Sequence, residues 1–349
     1  MKKRSSFLLL FLSFFICCCY HSSSWQNIFN RAQQHQRDGD LRSAFKIGQK
    51  ALKLAKSSYG ANDIRTARNE LFIGSLLRKK FALKEANNHL SAAVDVLEQN
   101  KDNALLLAQC VYELALVHRS LGQMTEAENR IRQALIIREE KLAPQHEDVI
   151  KSTSLLASIL SWKKEDDNAN KLYRRALEMT EQSFGRSSTE VAELLEEIST
   201  HYAQRSEKEA LDCLRRALNI REALFRKGDI KSEVKLMATI DSLVSRLESQ
   251  IAYSEIIKLL ERKVEIVGPT SLLACGDLEK LGDYYDREKN YAQAERTYLL
   301  ALQNLERTFG AKSTKCKKTL TALVQLYEAW GRKEMALPIK KRLTQLSEK

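Results

Sequence analysis

Helix breakers are scarce in this chain, with 12 glycines and 3 prolines in 349 residues. Sheet proteins and loop-built folds need many turn formers, so the scarcity excludes both as the main architecture. No convincing strand pattern is present. Aromatic residues make up 7% and charged residues 29%, as expected for many solvated helices around an aliphatic core.

Chemical motifs are missing too. The six histidines, His21, His35, His89, His118, His146 and His201, form no metal-ligand spacing such as H-E-x-x-H. Glycine-rich phosphate loops and G-x-S-x-G elbows are absent. Asp166-Asp167 reads as a helix start rather than an acid–base pair. Of the seven cysteines, Cys110, Cys213, Cys275 and Cys316 lie far apart in helical stretches and form no C-x-x-C pair. Buried or half-buried free thiols are the expectation for them. No N-x-[ST] glycosylation site occurs. These absences predict no catalytic residues, no cofactor and no metal, hence no enzyme.

The other three cysteines belong to a distinct N-terminus. Lys2, Lys3 and Arg4 precede an apolar run from Phe7 to Cys19, broken only by Ser13. A positive start followed by a short apolar run is the pattern of a secretory signal peptide. Residues 1–22 are therefore expected to be a leader and the protein to be exported, whether secreted, periplasmic or envelope-associated. The run is short for a bilayer span, which needs about 20 residues; a retained signal anchor is the alternative. Cys17, Cys18 and Cys19 stand where a bacterial lipoprotein cysteine would, but Phe14, Phe15 and Ile16 depart from the Leu-then-small pattern of that signal. Cleavage takes away three cations and no anions, lowering the net charge from +12 to about +9. A basic balance suits acidic partners in general. Its cations alternate with anions along helices, so nucleic acid is not expected.

What the chain has in abundance is Ala, Leu, Glu, Lys, Gln and Arg, the strong helix formers, arranged in a repeat. Ala44, Ala86, Ala127, Ala169, Ala210, Ile256, Ala294 and Ala336 each begin a small–large–small set, at successive gaps of 42, 41, 42, 41, 46, 38 and 42. Such a period means a solenoid, in which each unit buries its apolar face only against the next. A single compact core stops growing near 250–300 residues, a limit that repeats escape. The third unit shows the plan: a first helix at 104–120, a turn at Leu121-Gly122-Gln123, and a second helix from near Thr125. The second helix buries Ala127, Ile131, Ala134, Leu135 and the stem of Arg138.

Small residues recur twelve places before most anchors, as Ala32, Gly74, Ala115, Ala157 and Gly282. Ile73, Leu114, Leu156 and Leu281 precede four of them, and His35, Leu77, His118, Leu160 and Tyr285 follow three places later. This combination resembles the tetratricopeptide repeat (TPR), a helix–turn–helix unit of about 34 residues. The extra residues lie after the second helix, and there the chain resembles the longer repeat of the kinesin light chain class. Tyr173 to Leu177, Phe184-Gly185 and Val191-Ala192 carry the likeness. So do Tyr298, Ala301-Leu302 and Phe309-Gly310 near the end, and Ala51-Leu52 with Tyr59-Gly60 near the start. In the third unit, 142–149 fill the same loop without the Gly. The likeness spans residues 24–349. It implies an all-α, right-handed α-solenoid of about eight helix–turn–helix repeats after the signal peptide.

Three places depart from the pattern. Gly48 sits mid-helix in the first unit and should loosen it. The sixth unit has Ile256, Leu260 and Lys263 for the small–large–small set, as a hinge or as a poorer repeat. The last unit has Lys340 at an apolar place and Pro338 in its second helix. Trp162 and Trp330 are expected to pack against turns, and Trp25 to staple the first helix.

In the tetratricopeptide fold the first helices line a concave, ligand-binding surface. The corresponding positions here are Arg68, Arg78, Arg119 and Lys151 in the first half, with Phe29, Leu71 and Tyr112 as apolar neighbours. The second half offers Glu196, Asp241, Glu248, Glu279, Asp286 and Glu328. The expected function is an exported, non-catalytic scaffold that docks a protein or peptide segment, with the basic groove taking an acidic stretch. Some relatives use a Lys and Asn set to grip a peptide carboxylate; this chain lacks it. The alternative is a structural or assembly protein of the cell envelope that self-associates, basic half to acidic half. Membrane contact is expected only through an uncleaved or lipidated N-terminus.

Overall fold

Each of the eight anchors falls on a helix and is buried. The computed structural model describes residues 25–228 and 230–347; the leader assigned to 1–22, with Cys17–Cys19, lies outside the described residues. The described chain is all helical, without strands, and its helices pair in sequence. Pairwise contact divides it into two compact units, 1–186 and 187–349. The first holds α1 (25–37), α2 (Leu41–Tyr59), α3 (Ile64–Lys79), α4 (Leu83–Glu98), α5 (Ala104–Ser120), α6 (Met124–Lys141), α7 (Glu147–Trp162) and α8 (Asp166–Phe184). The second holds α9 (Thr189–Tyr202), α10 (Glu207–Arg226), α11 (Ile230–Ser249), α12 (Tyr253–Val267), α13 (Cys275–Arg287), α14 (Tyr291–Phe309), α15 (Lys317–Ala329) and α16 (Lys333–Ser347). No helix of the described residues is long and apolar enough to cross a membrane.

The turn inside each pair uses one device. The residue five places before the anchor takes positive φ in seven units. Gly39, Gly122 and Gly331 do so at no steric cost; Phe81, Lys164, Ile251 and Lys289 do so at φ between 57° and 65°. In six of these the next amide then donates back across the helix end. Gln123 donates to the His118 carbonyl at 2.9 Å and Arg332 to the Tyr327 carbonyl at 2.8 Å. This satisfies carbonyls that a helix end would leave orphaned. The second helix of the third unit starts at Met124 with no side-chain cap, not at a Thr125 cap. The Gln123 side chain is held instead by His118 Nδ1 at 2.8 Å.

Close packing decides which residues must be small. A Cβ on Gly74 would lie 2.6 Å from Leu90 Cγ, and one on Gly282 would lie 2.5 Å from Tyr298 Cε1. Both glycines are on first helices, and both partners come four places after an anchor. In the first unit that place is Gly48 itself, and Phe72 of the next unit fills it: a Cβ there would sit 2.9 Å from Phe72 Cε1. Gly48 therefore admits a ring rather than loosening α2. Trp25 does staple the first pair, stacking on Phe29 at 5.5 Å and meeting Tyr59 edge-on at 6.3 Å. Trp330 packs near Tyr291, with ring centroids 5.8 Å apart. Trp162 does not pack. It is 68% exposed, because it is the last residue of α7 and the chain turns away at Lys163 and Lys164.

Polar bonds join successive pairs inside the apolar stack. Arg138 is buried to its guanidinium, not only along its stem. Its Nη1 donates to the Asp148 carbonyl at 3.0 Å and to Ser152 Oγ at 2.7 Å, and it lies over Tyr112 at 4.6 Å. Buried Glu70 accepts from Lys56 at 2.7 Å and pairs with His89 at 2.5 Å, tying the first two pairs together. In the sixth unit, Lys263 reaches Asp241 at 2.5 Å and Asp277 at 3.1 Å. Burial pulls its ammonium down, yet the two carboxylates hold it above its ordinary value. The irregular unit is thus packed through Ile256 and Leu260 and bridged through Lys263.

Four tyrosines of the second unit donate to carboxylates: Tyr284 to Glu248, Tyr285 to Glu261, Tyr298 to Asp283 at 2.5 Å and Tyr327 to Glu295 at 2.6 Å. Burial first, and then the bonded carboxylate, pushes each phenol up. A raised folded pKa means that the stabilisation is complete below the ordinary phenol value near 10 and is lost as pH rises beyond it. The expected result is a fall in melting temperature above about pH 10, followed by calorimetry. Tyr298→Phe should make that fall shallower; an unchanged pH dependence would contradict this account.

Candidate functional site

Two hollows lie along the first helices, one in each unit. The first has a volume of about 570 Å³ and is lined from α1, α3 and α5. Phe29, Leu71 and Phe72 make its apolar floor, and Phe29 meets Phe72 edge-on at 5.4 Å. Gln26, Gln33, Gln36 and Gln109 line the walls, and Ser75 and Glu113 add polar atoms. Arg68 and Lys79 stand exposed at its rim. A carboxamide offers both a donor and an acceptor, as a peptide group does. The hollow can therefore hold an extended backbone by hydrogen bonds, seat a large apolar side chain on the floor and meet an anion at the rim.

The residues expected at this surface separate in the structure. Phe29 and Arg68 come together in the hollow, with Leu71. Arg78 turns to the next pair, donating to Glu113 Oε2 at 2.6 Å. Arg119 donates to Ser158 Oγ at 3.2 Å. Lys151 pairs with Glu147 within its own helix. Tyr112 lies half-buried against Arg138, and burial pushes its phenol up. Of these basic residues, Arg68 and Arg119 have no ion-pair partner among the described residues, and Arg68 is the one that lines the hollow. The four glutamines and Lys79 were missed by sequence reasoning, although Gln26 and Gln109 stand at the first-helix place of Arg68, Gln36 at that of Arg78 and Gln33 at that of Ser75. The signal was present, but a search for charge passes over carboxamides.

The second hollow, about 740 Å³, opens between α9 and α11 and is rich in hydroxyls, among them Ser199, Thr200, Thr239, Ser242 and Ser245. Its carboxylates are engaged. Glu196 pairs with Arg221 at 3.2 Å and accepts from Thr239 at 2.6 Å; Asp241 holds Lys263; Glu207 faces Arg246 at 3.4 Å. Outside the hollow the pattern continues, with Lys318 on Glu279 at 2.7 Å and Lys340 on Glu328. Most acidic residues expected as a binding face are thus bonds between helices.

Among the described residues no cluster of His, Cys, Asp or Glu is placed to hold a metal ion. The four described thiols are free. Burial pushes Cys110 up to about 12 and Cys213 to about 11, leaving them protonated and poorly nucleophilic at neutral pH.

The helix pairs define the class: a repeat protein whose units bury their apolar faces on their neighbours. Residues 107–148 and 148–223 match family models of the tetratricopeptide repeat. Among solved structures, BtubC from P. vanneervenii is similar at a TM-score of 0.55 and 20% identity, over 65% of this chain and 90% of that one. A putative kinesin light chain from Podospora anserina, with nearly identical TPR-like repeats, gives 0.51 at 16% identity, over 59% and 98%. The apo form of RapI gives 0.52 at 15% identity, over 82% and 98%. No curated protein matches the sequence. Residues 107–223 thus carry tetratricopeptide repeats, and the chain has the fold of kinesin light chain-like repeat proteins, a fold found in generally non-catalytic protein-interaction scaffolds.

Proposed function

We propose that this protein is a non-catalytic adaptor that captures an extended protein or peptide segment in the hollow of its first unit. The observation that carries this reading is the composition of that hollow: an aromatic and aliphatic floor, carboxamide walls and a basic rim on three successive first helices. The favoured segment places one large apolar side chain on Phe29, Leu71 and Phe72 and an aspartate or glutamate beside Arg68 and Lys79. The basic start and apolar run at the N-terminus support action outside the cytoplasm. Head-to-tail assembly has less support, because most of the acids it would use already bond neighbouring helices.

The test is selection from a random peptide library followed by titration of the enriched peptides. Arg68→Glu should weaken binding by about tenfold or more and reduce its salt sensitivity, since attraction at the rim becomes repulsion. Lys151→Glu should change little. Arg78→Glu is a poor probe, because it would set a carboxylate against Glu113 and disturb the fold. Failure to enrich any motif, or full binding by Arg68→Glu, would refute the assignment.

A further inference from the structure

We propose that two loops of the second unit, 268–274 and 310–318, form a docking surface for an anionic lipid bilayer. The proposal is independent of the peptide-binding reading. The loops connect successive pairs, and the end of α14, which leads into the second loop, is bonded to the first. Asn304, near the end of α14, donates to the Pro269 carbonyl at 2.8 Å, and Arg307 donates to the Thr270 carbonyl. Arg342 holds the second loop through the Ala311 carbonyl at 2.6 Å.

Their composition is unlike that of a solvated turn. Leu273 is 81% exposed, Leu272 38% and Phe309 46%. In the second loop, just after Phe309, Lys312, Lys315 and Lys317 are exposed and have no ion-pair partner among the described residues; Lys318 pairs with Glu279. No Asp or Glu occurs from 266 to 276 or from 307 to 327. The matching loops of the first unit carry acids, Asp63 and Asp102.

Lysines around protruding apolar side chains match the anionic bilayer interface, where apolar groups enter the acyl boundary and ammonium groups meet lipid phosphates. An acidic polypeptide would satisfy the lysines but would need a preformed pocket for Leu273. A bilayer takes a protruding side chain without one, which favours lipid.

The test uses the full chain and vesicles of phosphatidylcholine, alone or with phosphatidylglycerol. The apolar leader could hold the chain on both vesicle types, so the readout is local. A Leu273→Trp reporter should gain fluorescence and shift to the blue with the anionic vesicles only. Combining it with Lys312→Gln, Lys315→Gln and Lys317→Gln should weaken the response by about tenfold or more, as should raising the salt. In the parent, Leu273→Ser should lower the anionic-lipid increment of co-flotation. These positions are exposed, so helical circular dichroism should not change. No shift with anionic vesicles, or a shift that survives loss of the lysines, would overturn the proposal. A shift with poly-glutamate and none with vesicles would overturn it in favour of an acidic polypeptide.

Discussion

Replacing Gly282 with valine is expected to destabilise the second unit by about 3 kcal/mol or more, since extra atoms in a filled core force neighbours off their rotamers. The added Cβ alone would stand 2.5–2.8 Å from three ring carbons of Tyr298. The ring cannot retreat freely, because its hydroxyl is bonded to Asp283 at 2.5 Å. Gly276, in the same helix, has nothing within 4 Å of a Cβ. Gly276→Ala should therefore stabilise by roughly 0.5 kcal/mol, through a smaller loss of chain entropy on folding. Urea denaturation of both variants checks the pair. Equal effects would show that the close approach of α13 and α14 is not what selects glycine.

Glu196→Ala is expected to cost about 3 kcal/mol, the loss seen when a buried charge is left without its partner. Arg221 is 1% exposed and gives Nε and Nη2 to Glu196 at 3.3 and 3.2 Å, while Nη1 has no partner. Thr239 donates to the same carboxylate at 2.6 Å, so the loss also strips a bond between α9 and α11. Arg221→Met removes the buried charge with its stem retained, and adding it to Glu196→Ala should restore much of the stability. Simple additivity of the two changes in thermal unfolding would mean that the pair is not coupled.

The fold was legible because helical periodicity and repeat spacing are both written along the chain. The anchors, the glycine turns at 39, 122 and 331, and Gly74 and Gly282 follow from that spacing. The candidate site was legible only in part. Its positions are fixed by the repeat, but whether a charge faces a ligand or a neighbouring helix depends on a residue some 35–43 places away. Arg78 with Glu113 and Thr239 with Glu196 are such pairs. Pairs near the repeat period can be sought in a sequence, yet side-chain reach decides which of them close. Gly48 shows the same limit: a helix-weakening residue by local propensity becomes a packing residue once Phe72 arrives from the next pair.

Hydrogen exchange of the full chain, with and without a peptide selected against it, tests the binding claim most directly. The account predicts added protection confined to α1, α3 and α5, lost in Arg68→Glu. Protection on α9 and α11 instead, or on second helices such as α4 and α6, would contradict it.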